Sequence, residues 1–399
     1  MRISALATAI AALLAMPSVA HAAEEMSGED IARLLLDRPV ELLGSAAAAA
    51  EVGQPVELEL EQERILAGSL AEIVELVRNY RYKRASELYS ALLATVDPWA
   101  HQPHAARLLE GHRNILEYMA EQCALGQSIL AQSTESSSAD WVFGMELFGV
   151  TTHYRVDPAS GIVSVKLAGE LDDLPIAELV AVLYEVDLYK SWMPFISDSQ
   201  RVHLGGPAEV LGYVLFSIPV SFMSRDTLFA AQGIDMLLED GALVLSAKSC
   251  NGASVEQYVR SRAARLAVRG AAEECGGQEP HKEAPLKPSG WLHQQMEIID
   301  FTAVLEPLSP TSMRCVLLLA LDLRAHLPQV VINFLIKNLA GLFLSLLKSQ
   351  VRKVAASEDN PHKRAIRSNA AFYRDWLLPK LQALFREKKW ELEVPACLL

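Results

Sequence analysis

Few residues in this chain have the type and spacing that catalysis requires. The sequence has no G-x-S-x-G turn, no phosphate-binding glycine loop and no H-E-x-x-H zinc motif. Its ten histidines are scattered, and the acid–base pair that can be proposed, Asp226 with His153, rests on residue type alone. We therefore expect a protein that is not an enzyme and that uses no cofactor and no metal.

A second group of polar side chains stands within strongly apolar stretches. Side chains of this kind could fix the polar end of an apolar ligand. The candidates are Arg225, Lys337, Asn333, Asn338 and His153. Structural roles are the alternatives: Arg225 and Asp226 could form a salt bridge or a turn cap, and Lys337 could lie on an exposed stripe.

The element that carries most of these groups is the apolar stretch LPQVVINFLIKNLAGLFLSLLKSQ, residues 327–350. Its apolar side chains cover most of a helix circumference, so such a helix must be buried on several sides. Residues 330–347 have nearly the length of a membrane span. Lys337 near the centre would cost about 2.5–3.5 kcal/mol there. Two alternatives to a span remain: a plain core helix, and a helix that closes over an apolar cavity.

Charge is distributed unevenly along the 399 residues, whose formal net charge is −13. An acidic chain of this kind does not favour nucleic acid as a partner. Residues 23–75 have a net charge of −10 and residues 324–389 one of +9. The basic segment predicts transient contact with an anionic membrane surface, or else a solvated charged face.

Composition and periodicity divide the chain into five parts. Residues 1–22 resemble a cleavable signal or targeting segment, which implies the secretory pathway if it is one and a cytoplasmic protein otherwise. An acidic segment of low order (23–62) and a helical region (63–132) follow. Residues 133–355 form the main domain, which has a polar insertion at 251–290. A basic helical tail (356–399) ends the chain.

Within the main domain the period of the pattern alternates between strand and helix. Residues 141–171 alternate as two strands, a helix begins after Pro175, and several strands bounded by Gly, Pro or Asp follow. The long apolar helix comes last, with Pro328 near its start. A run of antiparallel strands with a few helices predicts the α+β class.

These elements, in this order, resemble the START domain, the lipid-transfer fold of the steroidogenic acute regulatory protein relatives. The resemblance covers residues 141–355 and rests on four stretches. They are the strand that begins at Trp141 with the hairpin strand GIVSVKLAGEL, then EVDLYKSWMPF, then SIPVSFMSRDTLF with its Arg-Asp pair, and finally the C-terminal helix.

The resemblance implies a helix-grip fold, in which a curved antiparallel sheet surrounds the C-terminal helix and encloses one lipid. It also implies lipid binding and transfer between membranes, with a sterol, a phospholipid or a sphingolipid as the partner. The lipid-binding residues it implies are Trp192, Phe195, Phe216, Arg225, Val331, Phe334, Leu335, Asn338 and Leu342. Trp192 and Phe195 are also typical core anchors.

One departure from the family pattern bears on the identity of the lipid. In many sterol-binding members an arginine follows six residues after the arginine of the Arg-Asp pair, but Ala231 stands there in this chain. Two rival functions stay open: a scaffold whose START-like fold is filled by side chains, and a helix-grip cyclase or hydrolase. If the cavity exists, Leu335→Asp should abolish lipid retention, because it places an unpaired charge in the wall.

Overall fold

The computed structural model of the chain describes residues 55–96, 102–134, 141–147, 149–157, 159–160, 162–218, 223–250, 255–267, 293–322, 324 and 329–390. Only the backbone is described for residues 55–61, 218, 223, 293 and 329–342. The expected signal segment (1–22) and most of the acidic segment (23–62) lie outside the described residues. By internal contacts the chain divides into two units, residues 1–120 with 266–272, and residues 121–265 with 273–399.

The first unit is helical. Its helices are α1 (Pro55–Arg78), α2 (Tyr82–Val96), α3 (Pro103–Gly111) and the first part of α4 (Arg113–Thr134). Leu66, Leu70 and Ile73 recur at helical spacing along α1 and are all fully buried, which gives this unit a core of its own. The ring of Tyr82 packs edge-on against that of Tyr118, and the centroids are 5.8 Å apart.

The second unit is built on a ten-stranded sheet. In chain order its elements are β1 (Val142–Leu147), β2 (Val150–Val156), β3 (Val163–Leu171), α5 (Ile176–Tyr184), the 3-10 helix Val186–Ser191, β4 (Ile196–Gly206), β5 (Glu209–Ile218), β6 (Met223–Met236), β7 (Ala242–Ser249), α6 (Val255–Leu266), β8 (His293–Gln295), β9 (Glu297–Ser309), β10 (Ser312–Asp322) and α7 (Gln329–Ala356). After α7 come α8 (Pro361–Ser368), α9 (Ala370–Phe372), the π-helical turn Tyr373–Leu377 and α10 (Leu378–Lys388).

Strand order along the sheet is β1-β2-β3-β10-β9-β7-β6-β5-β4, and each neighbouring pair on this path is antiparallel. The short strand β8 pairs with β6 in parallel. Gly149 and Gly241 turn the chain between β1 and β2 and between β6 and β7 at φ of 74° and 72°, values that favour glycine. The predicted α+β class is confirmed.

Helices cover the two faces of the sheet differently. On the outer face, Gly126 of α4 lies against Ile234 and Met236, and α6 contributes Val255 to the cluster around Leu228. On the inner face, α7 contacts β1, β2 and β3 as well as α5. A long C-terminal helix held against an antiparallel sheet is the expected helix-grip arrangement. None of the described helices is long and apolar enough to cross a membrane.

The insertion predicted as polar has a structured part. Residues 255–266 form α6, and Tyr258 and Val259 pack against the outer-face cluster. The Arg262 guanidinium makes an ion pair with the buried Glu209. Apolar residues at the helix start and a charge that finds a buried partner hold α6 to the sheet. Residues 251–254 and 268–290 of the insertion lie outside the described part.

Candidate functional site

Strand alternation assigns the residues of the sheet to one face or the other, because cross-strand partners share a face. One row runs across the inner face from β2 to β5 through successive pairs. It consists of Tyr154, Val165, Leu319, Phe301, Ala247, Ala231 and Val210. Phe301, Ala247 and Ala231 belong to the cluster that packs under the 3-10 helix, which places the row on the same side as that helix.

The inner face has a closed end and an open end. We call the closed end the part beside Gly149, Leu171 and Met236, where α5 and the second half of α7 pack. There Leu344, Leu347, Val351 and Val354 of α7 are fully buried. Leu171 and Cys315 on the strands are fully buried too, and burial raises the pKa of the Cys315 thiol to about 12. No room for a ligand remains among these side chains.

The open end is the opposite part, where β2, β5 and β10 end and where β3, β6, β9 and α7 begin. In the row across the inner face, Tyr154, Val165, Leu319 and Phe301 are only half-buried, although a strand lies on each side of every one of them. On the outer face next to this row, Thr302 beside Phe301 is buried, whereas Leu318 beside Leu319 is half-buried. Apolar surface in the middle of the sheet therefore stays accessible on the inner side.

Several of the predicted site residues come together at this open end. Ile196 pairs with Phe216 and Phe216 with Arg225, so the start of β4, the end of β5 and the start of β6 are neighbours. Phe216 is half-buried and packs against the inner-face cluster. The backbone carbonyl of Phe195 accepts a hydrogen bond from the Ser217 N–H at 2.8 Å. Phe195 itself has φ of 65°, an uncommon value for a bulky residue.

Trp192 links this cluster to α7. Its ring centroid lies 6.0 Å from that of Phe343 on α7 and 6.1 Å from that of Tyr189. Its indole Nε1 is buried, and among the described residues it has no hydrogen-bond partner. Trp192 thus connects the 3-10 helix to α7. Its indole N–H is a hydrogen-bond donor with no acceptor among the described residues.

Arg225 and Asp226 point to opposite faces, as adjacent residues of a strand must. Arg225 lies on the inner side, is 2% exposed, and donates from Nη1 to the Ser224 carbonyl at 3.0 Å. Burial lowers the pKa of its guanidinium. The Asp226 carboxylate lies on the outer side and accepts a hydrogen bond from the Tyr213 hydroxyl at 3.3 Å.

The proposed acid–base pair does not assemble. His153 lies on β2, where its ring packs edge-on against Phe143 at 5.7 Å between centroids. Asp226 lies on β6, and β3, β10, β9 and β7 stand between the two strands. With strands about 4.8 Å apart, the two side chains are separated by about 20 Å or more along the sheet.

The remaining predicted lipid-binding residues all lie on the first half of α7. They are Val331, Phe334, Leu335, Asn338 and Leu342, together with the polar candidates Asn333 and Lys337. The helical backbone places them at the open end, but their side chains lie outside the described part. Their roles stay predictions.

Sequence reasoning missed Thr152 and the half-buried row. Thr152 lies on the inner side of β2, pairs with Leu167 and is fully buried, and its hydroxyl has no partner among the described residues. Alternation along β2 and β10 could have placed these residues on one face. Which face receives the helix depends on packing and is not visible in the pattern.

A concave surface lies near the closed end and differs in chemistry from the apolar row. It is an open cleft of about 470 Å³ that includes Glu170, Asp172, Arg314 and Lys348 among its lining residues. Charges of both signs line it and it is broadly open to solvent, so it does not have the enclosed apolar character of a lipid site.

The strand order, the long C-terminal helix on the inner face and the half-buried apolar row define a START-like helix-grip domain.

No family model matches the chain, and no curated protein matches it either. Among solved structures, it is similar to human STARD10, at 15% identity and a TM-score of 0.45, over 64% of this chain and 86% of that one. It is also similar to the human StAR-related lipid transfer protein 5, at 17% identity and a TM-score of 0.44, over 60% of this chain and 99% of that one. A STAR-related lipid transfer protein from Xanthomonas axonopodis is similar at 14% identity and a TM-score of 0.38, over 53% and 99% of the two chains.

Proposed function

We propose that the START-like domain binds one lipid between the inner face of the sheet and α7, and carries it between membranes without a catalytic step. The observation that supports this most is the half-burial of Tyr154, Val165, Leu319 and Phe301 in the middle of the sheet. Apolar side chains in the middle of a sheet are normally fully buried. Accessible apolar surface on the inner side of the sheet is what a site for an apolar ligand requires.

The physical gain from such a site is large. Each methylene that leaves an apolar environment for water costs about 0.8 kcal/mol. A chain of sixteen carbons therefore costs on the order of 13 kcal/mol to expose. A protein with a dry apolar site and a helix that can move aside lowers this barrier to desorption.

The described side chains of the inner face restrict the class of lipid only partly. From β2 to β7 the inner row is uncharged, and the one buried cation at the open end is Arg225 among the described side chains. The residues that follow Phe301 in this row, Ala247 and Ala231, are small. A sterol, a phospholipid or a sphingolipid fits this description, and identification of the extracted lipid distinguishes the three classes.

We also propose that the protein contacts an anionic membrane surface through exposed basic side chains. Lys363 and Lys380 are engaged by Glu178 and Asp235. Arg352, Lys353, Lys388 and Lys389 are exposed, and no ion pair involves them within the described part of the chain. Each such cation near an anionic surface contributes about 1 kcal/mol, so docking to phosphatidylserine vesicles should weaken with salt.

Two neighbouring leucines on β10 provide the test. Leu319 is half-buried on the inner face and Leu318 is half-buried on the outer face. We expect Leu319→Asp to lower lipid occupancy of the full chain by about 100-fold, because an unpaired carboxylate would stand in the wall. Leu318→Asp is the matched control and should retain lipid.

Occupancy is measured by native mass spectrometry of protein purified from cells, followed by solvent extraction and identification of the lipid. One lipid at near one-to-one ratio in the wild type and in Leu318→Asp, and none in Leu319→Asp, supports the proposal. A wild type that carries no lipid and takes none up from vesicles would overturn it. The scaffold function would then be the one to pursue, beginning with partners of the helical first unit.

A further inference from the structure

The chain continues beyond α7 in a firmly packed segment. Residues 361–388, which we call the strap, comprise α8, α9, the π-helical turn and α10. Ile366, Tyr373, Leu377 and Leu384 of the strap are 1% exposed or less. Burial of this extent shows that the strap belongs to the body of the second unit, although its composition is that of a basic surface segment.

Three polar bonds attach the strap to three different places. Lys363 Nζ donates to Glu178 Oε1 on α5 at 2.8 Å, and both side chains are at most 5% exposed. The Tyr373 hydroxyl donates to Glu185 Oε1, just after α5, at 2.7 Å. Lys380 Nζ donates to Asp235 Oδ2, near the end of β6, at 2.6 Å.

Stacked aromatic rings support the middle of the strap. The rings of Tyr184 and Phe372 are parallel within 4°, with centroids 3.9 Å apart. Phe372 in turn stacks on Trp376 at 5.3 Å. The π-helical turn lies one residue before Pro379, whose missing N–H interrupts the regular ladder, and it places the ring of Tyr373 edge-on against Tyr184 of α5.

The strap and α7 share one support. The second half of α7 packs on α5, and α8 of the strap packs on α5 and on α7. A turn of four residues, 357–360, joins α7 to α8, and the Asn360 side chain caps α8 by accepting from the His362 N–H at 2.9 Å. Because the connection is so short, the last turns of α7 cannot move away from α5 while the strap remains bound.

We propose that the strap holds α7 against α5 and so sets how far α7 opens. The inference rests on the proposed function only in its second half, that the opening of α7 admits and releases the lipid. The buried Lys363–Glu178 pair is the part to break, since removing one partner leaves the other charge buried and unpaired.

The first measurement is hydrogen exchange of the full chain in Lys363→Met. We expect exchange to rise by about tenfold or more in residues 361–388 and, together with it, in residues 343–356 of α7. Lys353→Met is the control, because Lys353 is exposed on α7 and has no ion pair among the described residues. Faster exchange in the strap with unchanged protection of α7 would overturn the inference.

The second measurement uses the same variants with a fluorescent lipid. Release from Lys363→Met to acceptor vesicles should be about tenfold faster than from the wild type and from Lys353→Met. Unchanged release with α7 loosened would overturn the link to the lipid. A wild type that binds no lipid would count against the proposed function alone, because the exchange result stands by itself.

A second variant keeps the inference testable if Lys363→Met does not fold. If near-UV circular dichroism shows that Lys363→Met has lost its packing, Glu178→Gln with Lys363→Met removes both charges and leaves none unpaired. The double variant should fold, and its strap should still exchange faster than that of the wild type. Equal protection of strap and α7 in the wild type and in the folded double variant would overturn the inference.

Discussion

The two ends of the inner face are built from the same kinds of residue and differ in how completely they are packed. At the closed end Leu344, Leu347 and Val351 meet α5 and the strands with no exposed surface. At the open end Leu319 and Phe301 remain half-buried. The closed end of the sheet therefore contributes to the stability of the fold, and the open end leaves apolar surface accessible. The difference lies in the elements that pack on the sheet and not in the hydrophobicity of the strand.

Leu317 and Leu319 on β10 test this difference in packing most directly. Leu317 is 4% exposed near the closed end, while Leu319, two residues on and on the same face, is half-buried. Leu317→Ala should lower the free energy of unfolding by about 3 kcal/mol, because it leaves a cavity, and Leu319→Ala by only about 1 kcal/mol. Chemical denaturation measures both, and equal losses would contradict the distinction between the ends.

Acid should loosen the closed end first, through His362. This side chain is 1% exposed in α8, and burial lowers the pKa of its imidazole to about 4. A lowered pKa means that the neutral ring stabilises the packing above the ordinary value near 6.5, and that this stability is lost as the pH falls from 6.5 toward 4. We expect about 2 kcal/mol less stability at pH 5 than at pH 7.5 from this residue.

Other groups around His362 must be considered with it. Gln350 faces it from α7, Asn360 from the preceding turn, and the Lys363–Glu178 pair and Glu358 lie beside it. Burial also raises the pKa of Glu185, which favours packing as the pH falls and so opposes His362. His362→Gln isolates the histidine: the fall in strap protection between pH 7.5 and pH 5, followed by hydrogen exchange, should disappear. If it persists in His362→Gln, another group is responsible.

The smallest effect is expected at Thr152, which lies between the two ends. Its hydroxyl is fully buried and has no partner among the described residues. Thr152→Val keeps the shape and removes the unsatisfied group, so the protein should gain about 1 kcal/mol of stability. Thermal unfolding without lipid measures the gain, and Thr151→Val, at a half-buried neighbour whose hydroxyl donates to the Ala168 carbonyl, is the control that should lose stability. A loss in Thr152→Val would mean that the hydroxyl is satisfied by water.

Much of the domain could be predicted from local pattern. The alternation of apolar residues gave the strands around Val163–Leu171 and Ser312–Asp322, and the long apolar stretch gave α7. The helix extends to Ala356, beyond the stretch considered as a span, because its last turns are amphipathic and pack on α5 and the strap. Alternation alone does not show that residues 293–309 form two strands, β8 and β9, of which β8 pairs with β6 and β9 pairs with β7 and β10.

The same local patterns predicted less of the candidate site. Trp192, Phe195, Phe216 and Arg225 were named, and the structure brings them to one end of the inner face. The half-buried row was missed, because a half-buried leucine and a sealed one have the same sequence signature. Asp226 and His153 could not be placed without the strand order, which separates them by four strands.

Local sequence pattern was enough for the class of the fold, most of the strands along the chain and the identity of the helix that comes after the last one. These features depend on periodicity and on residues that start or end elements, which act over a few positions. Packing between distant segments set which face receives α7, which end is sealed, and that the basic segment after α7 is a strap whose cations meet Glu178 and Asp235. Those features depend on partners that are more than a hundred residues apart, and no local pattern contains them.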